Sequence, residues 1–266
     1  MQPTVQLINY TGAGSPDPAR AAANVLCFTK ATRLNMTPGL AGEIALWSEE
    51  KVMEELRYMA NTVPSSWEFV DYTFVINNVT RAFTHQLVRT RTGSYAQQAM
   101  RVVDMTDGMG WTYATGPTLE ADVEFTGSGG ARGSMPNAHQ LLYHDTMATI
   151  GEAYAELVKA GVATEDARGL LPTNIHTNIV AKFNLRHLAD TIRKRSSGRV
   201  QSEYRSVIEG MKSEVLRVHP WAALFLERDF DTVALELQEG INEVRGLDAS
   251  EKVRLTKLID QLRGMA

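Results

Sequence analysis

Residues 65 to 91 change their hydrophobic period partway along, and that change constrains the fold more than any other feature of the chain. SSWEFVDYTFVI (65–76) alternates apolar and polar positions and is mostly β-branched or aromatic at the apolar ones, the pattern of a half-buried strand. VTRAFTHQLVRTR follows at once, with Val79, Ala82, Phe83, Gln86 and Leu87 on one face, which is helical spacing. The helix is expected to stop near Gly93, which puts Arg89 and Arg91 in its last turn. Cations there suit the helix dipole and stand open to a ligand.

The same reasoning extends to the rest of the chain. TVQLINY (4–10) and TNIVAKFN (177–184) read as further strands. Ser15-Pro16-Asp17-Pro18 starts a helix through ARAAANVLCFTK, and Leu40 to Asn61 reads as one long amphipathic helix with Ile44, Trp47, Val52, Met53, Leu56 and Met59 at helical intervals. More helices are expected from Ala138 to Ala160, over LRHLADTIRKRSS and over VQSEYRSVIEGMKSEVLRV. Between Asp107 and Pro136 the chain turns Gly-rich; TGSGGARG fits neither common nucleotide fingerprint and reads as a mobile surface loop. From Asp231 onward a helical hairpin is expected, appended to the core.

The 266 residues carry a net charge of -4, which argues against a general nucleic-acid coat. Only one cysteine is present, Cys27, so no intramolecular disulfide can form, and its apolar setting predicts a buried structural thiol. No apolar run approaches the ~18 residues that span a membrane, and the start lacks a basic region followed by an apolar core, so a cytoplasmic protein is expected. The six histidines show no pair four apart with a carboxylate between them, and no metal site is expected.

Against this acidic background two segments stand out. From Tyr72 to Val103 there is no Asp or Glu, yet Arg81, Arg89, Arg91 and Arg101 fall inside. Between Lys182 and Gln201 lie Lys182, Arg186, Arg193, Lys194, Arg195 and Arg199 against Asp190 alone. A solvated face laced by ion pairs and, for RKRSSGR, a nucleic-acid patch are both open readings. Two carboxylate-poor clusters in one acidic protein suit phosphates better, because arginine offers a rigid fork to an oxyanion.

TRAFTHQLVRTRTGSYAQQAMR resembles the signature helix and loop of the flavin-dependent thymidylate synthases, of the form SRAxTHQLVRHRxASYSQQSQR. The resemblance extends to LINYT, to the SxxE and YTF between Ser65 and Phe74, and to ARGLLP followed by N-L-R and R-x5-Q-x-E over 167–203. It covers roughly residues 4 to 225 and implies an α+β fold with a mostly antiparallel sheet flanked by helices and a catalytic domain over 1–228; the tail lies outside it, and the hairpin pattern makes 229–266 an extra C-terminal helical extension. It also implies transfer of a one-carbon unit from methylenetetrahydrofolate to C5 of a uracil nucleotide, dUMP to dTMP by default, with FAD as hydride source, NADPH as reductant and no protein nucleophile. Matching positions implied to hold the nucleotide are Gln86, Gln97, Ala99, Arg101, Arg168 and Arg195, with Arg195 against the pyrimidine as the catalytic cation. Positions implied to contact FAD are Phe69, Arg89, Thr90, Arg91, Asn184, Arg186, Asp190 and Arg199. A homotetramer with shared active sites is implied as well.

Several of these positions depart from the pattern. Thr90 and Phe69 replace histidines, Ala99 replaces a serine, Asp190 replaces an asparagine, and Ala96 and Met100 are also changed. Asp190 is suited either to accept an N–H of the flavin or to pair with Arg186. The departures leave open methylation of UMP, hydroxymethylation of dUMP, and an inactive flavin or nucleotide binder.

Overall fold

A computed structural model describes residues 2–34, 36–105, 111–116, 119, 123–126, 132–135, 137–195, 201–227, 237, 241 and 248–265. Its centre is a four-stranded antiparallel sheet in the order β1-β2-β6-β3, where β1 is Thr4–Tyr10, β2 Asp71–Thr80, β3 Ser94–Gln97 and β6 His176–Asn184. Every neighbouring pair runs antiparallel. Alternation in β2 sends Tyr72, Phe74 and Ile76 into the core, and a register shift after Ile76, with Asn78 at φ 57°, brings Val79 there as well, all fully buried; each such side chain contributes about 1.5–3 kcal/mol of transfer free energy. The expected α+β class, an antiparallel sheet flanked by helices, is what the chain adopts.

Helices α1 (Pro18–Ala31), α2 (Leu40–Ala45) and α3 (Glu49–Thr62) follow β1. Where one long helix was expected from Leu40 to Asn61 there are two. Ser48 takes an extended backbone with its Oγ accepting from the Lys51 N–H at 3.2 Å, and Glu49 and Glu50 fill the next turn. That cap starts a new helix despite the continuous apolar spacing, because it satisfies donors that would otherwise be orphaned. The strand expected from residue 65 is also shorter: Pro64–Phe69 is a 3-10 helix and the strand begins at Asp71. Pro64 sits in its first turn, and Trp67 Nε1 ties it down by donating to the Met59 carbonyl at 3.0 Å.

Helix α4 (Arg81–Leu87) follows β2 without a loop, capped by Thr80, whose Oγ1 accepts from the Phe83 N–H at 3.0 Å. It is shorter than the sequence pattern predicts. Leu87 is its last residue, so Arg89 and Arg91 lie in the turn beyond it rather than in its last turn. The four-residue edge strand β3 was not expected at all. Gly93 permits the reversal into it, since a Cβ there would collide with the rings of Tyr95 and Phe183.

Within the expected Gly-rich loop the structure shows a small hairpin, β4 (Val123–Thr126) with β5 (Arg132–Met135), and residues 127–131 at its tip lie outside the described residues. Helix α5 (Ala138–Lys159), the single turn α6 (Thr164–Ala167) and a 3-10 turn at Arg168–Leu170 lead to β6. Then come α7 (Leu185–Arg195), α8 (Ser202–Val218), α9 (Ala223–Leu226) and α10 (Ala249–Met265). Helix α10 is the second half of the expected hairpin, and most of the first half falls outside the described residues. Among the described residues no helix is long and apolar enough to cross a membrane.

Candidate anion-binding site

The strand-to-helix junction at Asn184 builds the first site. Asn184 Oδ1 accepts from the His187 N–H at 2.9 Å, capping α7 as it leaves the sheet. Strand β3 starts beside the same end of β6, with Ser94 opposite Lys182, so the turn holding Arg89 to Thr92 comes to lie against α7. Between them is a cavity of about 660 Å³ lined by Arg89, Thr90, Arg91, Arg186, Lys194 and Arg195 among others. Its one carboxylate, Asp190, is ion-paired with Arg193. Arg186 pairs instead with Glu68, Nη1 to Oε1 at 2.6 Å. Asp190 therefore does not pair with Arg186, one of the two partners the sequence left open for it. Among the described residues no carboxylate comes within 4.0 Å of Arg89, Arg91 or Arg195, so the cavity keeps a positive field that an anion can answer.

A second cationic cavity, about 470 Å³, lies at the opposite end of the β2·β6 ladder. Thr80 pairs with His176 there, and the Arg81 N–H donates to the Ile175 carbonyl at 3.1 Å. Arg81, Arg101 and Arg168 line it with Gln98, Ala99 and one carboxylate, Glu165. Burial, followed by the neighbouring charge of Arg168, holds the Arg81 pKa below the usual arginine range. Three guanidiniums against one carboxylate leave this cavity with a positive field suited to an anion. Eight residue steps of β6, His176 to Asn184, separate the two ends, roughly 27 Å at about 3.4 Å per residue.

The expected site residues divide between these places. Arg89, Thr90, Arg91, Arg186, Asp190 and Arg195 share the first cavity, and Ala99, Arg101 and Arg168 the second. Arg195 is therefore not brought together with Arg101 and Arg168 within one chain. Gln97 Nε2 turns inward to Thr84 Oγ1 at 2.9 Å, leaving its neighbour Gln98 on the cavity wall. Gln86 Nε2 donates to Gln201 Oε1 at 2.8 Å, Asn184 spends its oxygen on the helix cap, and Phe69 is exposed beside Glu68. Arg199 lies outside the described residues. Arg81 and Lys194 were not assigned to either site from sequence, although both fall inside the two charge clusters. Cys27 is buried in α1 and its thiol is pushed up to about 11, chiefly by burial, so it holds almost no thiolate at neutral pH.

Comparison with known proteins points in one direction. The family model for thymidylate synthase complementing protein matches residues 6–221. The flavin-dependent thymidylate synthase of Clostridium tetani is 32% identical over 229 residues, covering 81% of this chain and 83% of the relative. That of Nitratidesulfovibrio vulgaris is 31% identical over 230 residues, with coverages of 81% and 84%. The match to the Sulfurisphaera tokodaii protein of the same name is 35% identical over 149 residues and spans only 51% of that relative's length. Among solved structures, a UMP/dUMP methylase from Streptomyces cacaoi bound with 5-Br dUMP superposes with a TM-score of 0.60 at 21% identity, covering 83% of this chain and 93% of the other. That likeness is one of fold.

Proposed function

This chain belongs to the thymidylate synthase complementing protein family, that of the flavin-dependent thymidylate synthases, and on that premise we propose that it transfers a one-carbon unit from methylenetetrahydrofolate to C5 of a uracil nucleotide, dUMP to dTMP by default. The observation that carries the reading is the cavity where Arg89, Arg91, Lys194 and Arg195 converge with almost no neutralising acid. Such a cavity fits FAD, whose pyrophosphate is a dianion of the kind arginine forks clasp in pairs.

Arg89 and Arg91 would hold that pyrophosphate, and Arg186, already fixed by Glu68, would close the wall beside it. The chemistry FAD would supply there, once reduced by NADPH, is the hydride that completes the new methyl group. Arg195 stands against the pyrimidine, where a fixed cation stabilises the negative charge that develops as the ring is activated at C5. Arg101 and Arg168, with Arg81 beside them, take the nucleotide phosphate. A homotetramer with shared sites would let Arg195 of one subunit meet the phosphate-binding arginines of another, which the separate cavities of one chain do not. Covalent attack by the protein plays no part, in keeping with the buried thiol of Cys27.

Ala99, on the wall of the phosphate cavity, favours one variation on this theme. It lacks the hydroxyl that the family signature places there, so the nucleotide meets one polar contact fewer, and discrimination between ribose and deoxyribose rests on such single contacts. The test is a product assay by mass spectrometry on the purified flavoprotein, given methylenetetrahydrofolate and NADPH with dUMP, UMP and dCMP in parallel. Methylated dUMP is the expected product. Methylation of UMP instead would change the substrate and keep the chemistry, whereas no product from any nucleotide, with the flavin band bleached by NADPH, would overturn the reading as an enzyme.

A further inference from the structure

Arg195 ends α7, and what it meets within the chain is an aromatic ring. Its guanidinium carbon lies 4.9 Å from the centroid of Tyr204. Tyr204 stands in the first turn of α8, directly after Glu203, and is fully buried. On its other side it packs against Phe83 of α4, ring centroids 5.0 Å apart. Burial raises the pKa of its hydroxyl, with the charge of Arg195 and the side chain of Thr90 pulling the other way. No hydrogen bond of ordinary geometry ends on that hydroxyl among the described residues, although the side chains of Thr90 and Arg195 lie near enough to favour its ionised form.

The turn carrying Tyr204 is itself anchored. Glu203 accepts from the Thr80 N–H at 2.7 Å and from Thr80 Oγ1 at 2.6 Å, which ties it to the junction of β2 with α4. The ring's place is therefore set by the core and needs no ligand. A carboxylate in this position would also hold Arg195, but it would cancel the charge that a substrate needs. An aromatic face attracts a guanidinium through its quadrupole and leaves the full positive charge available on the other side. Elsewhere on α7 the contrast is plain: Arg186 and Arg193 are held by Glu68 and Asp190.

We propose that Tyr204 is a positioning residue for the nucleotide: its ring presents the Arg195 guanidinium, oriented and still charged, to the pyrimidine. This rests on the reading of Arg195 as the pyrimidine-side cation. The role belongs to the ring, because it is the ring face that the Arg195 guanidinium covers.

The test uses the full-length FAD-bound protein, titrated with dUMP and in parallel with UMP by calorimetry, with flavin content and Tm measured on each variant. Tyr204→Phe keeps the Kd of the nucleotide within about twofold, because the π face survives. Tyr204→Leu weakens it about three- to thirtyfold while the flavin stays bound; Tyr204→Met serves the same purpose if the leucine variant does not fold. In an Arg195→Ala background the same change leaves the Kd unaltered yet lowers Tm by as much as in the parent. A leucine or methionine variant that binds nucleotide normally, or that loses the same factor in both backgrounds, overturns the role of Tyr204 alone. Normal nucleotide binding by Arg195→Ala overturns the assignment of Arg195 and this inference with it.

Discussion

Two adjacent strands run directly into helices, and the two junctions lie at opposite ends of one ladder. At each, a side chain at the end of the strand caps the helix, Thr80 for α4 and Asn184 for α7. Each helix then opens with an arginine in its first turn and no acid there, Arg81 in one and Arg186 in the other. A cation at a helix N-terminus opposes the dipole. At the Asn184 junction that cost is offset, since Glu68 reaches Arg186 at 2.6 Å. At the Thr80 junction it is made worse, because partial burial and then the charge of Arg168 both disfavour the charged form of Arg81. The same local architecture thus carries one arginine whose charge the protein has answered and one whose charge it has left for something else.

The sharpest way to break this comparison is Arg195→Ala. If unanswered arginines are the working ones, this variant keeps its flavin and loses turnover by roughly 10²–10³-fold, the scale of removing one preorganised charge from a developing anion. Single-turnover oxidation of the reduced flavin in the presence of dUMP and folate measures it directly. Near-wild-type turnover would show that an unpaired guanidinium in the first cavity is not the catalytic one.

The capping residues offer the next largest difference. Thr80→Ala removes the cap of α4 and also strips Glu203 of a charge-assisted donor, for a combined loss of about 2–3 kcal/mol in unfolding free energy. Asn184→Ala removes a cap alone and costs about 1 kcal/mol. Chemical denaturation of both variants, with equal m-values, checks the ranking. Equal losses would mean that the Thr80–Glu203 pair adds nothing beyond the cap.

How much of this was legible in the sequence follows from the range of each interaction. The switches from alternating to helical spacing near Val79 and near Asn184 depend on residues a few places apart, and both strand-to-helix junctions could be read from them. Ser48 and Pro64 were legible in kind but were outvoted by the apolar spacing around them, so one helix was drawn where a cap makes two and a strand where a 3-10 turn sits. The four residues of β3 are too few to show a period. The charge clusters were visible because the acids are missing over long stretches. Their division between two ends of the sheet was not, because it is decided by the antiparallel register of Asp71 with Asn184 and Thr80 with His176. The pairing of Arg186 with Glu68, 118 positions apart, is hidden for the same reason.

The smallest effect is the most informative about why Arg81 is kept. Arg81→Gln removes a cation from a helix N-terminus and from beside Arg168, so the folded state is expected to gain stability, by a few tenths of a kcal/mol given that the site is partly solvated. Glu68→Gln at the other junction should do the reverse and lose about 0.5 kcal/mol, because there it is the counterion that goes. Thermal unfolding at low and high salt separates the two, since both differences shrink as the charges are screened. The same Arg81→Gln protein should bind dUMP more weakly, losing one cation from the phosphate cavity. A variant that gains stability and loses affinity would mark Arg81 as a residue retained for an anion against the interest of the fold. One that loses both would place it with Arg186, as a part of the scaffold.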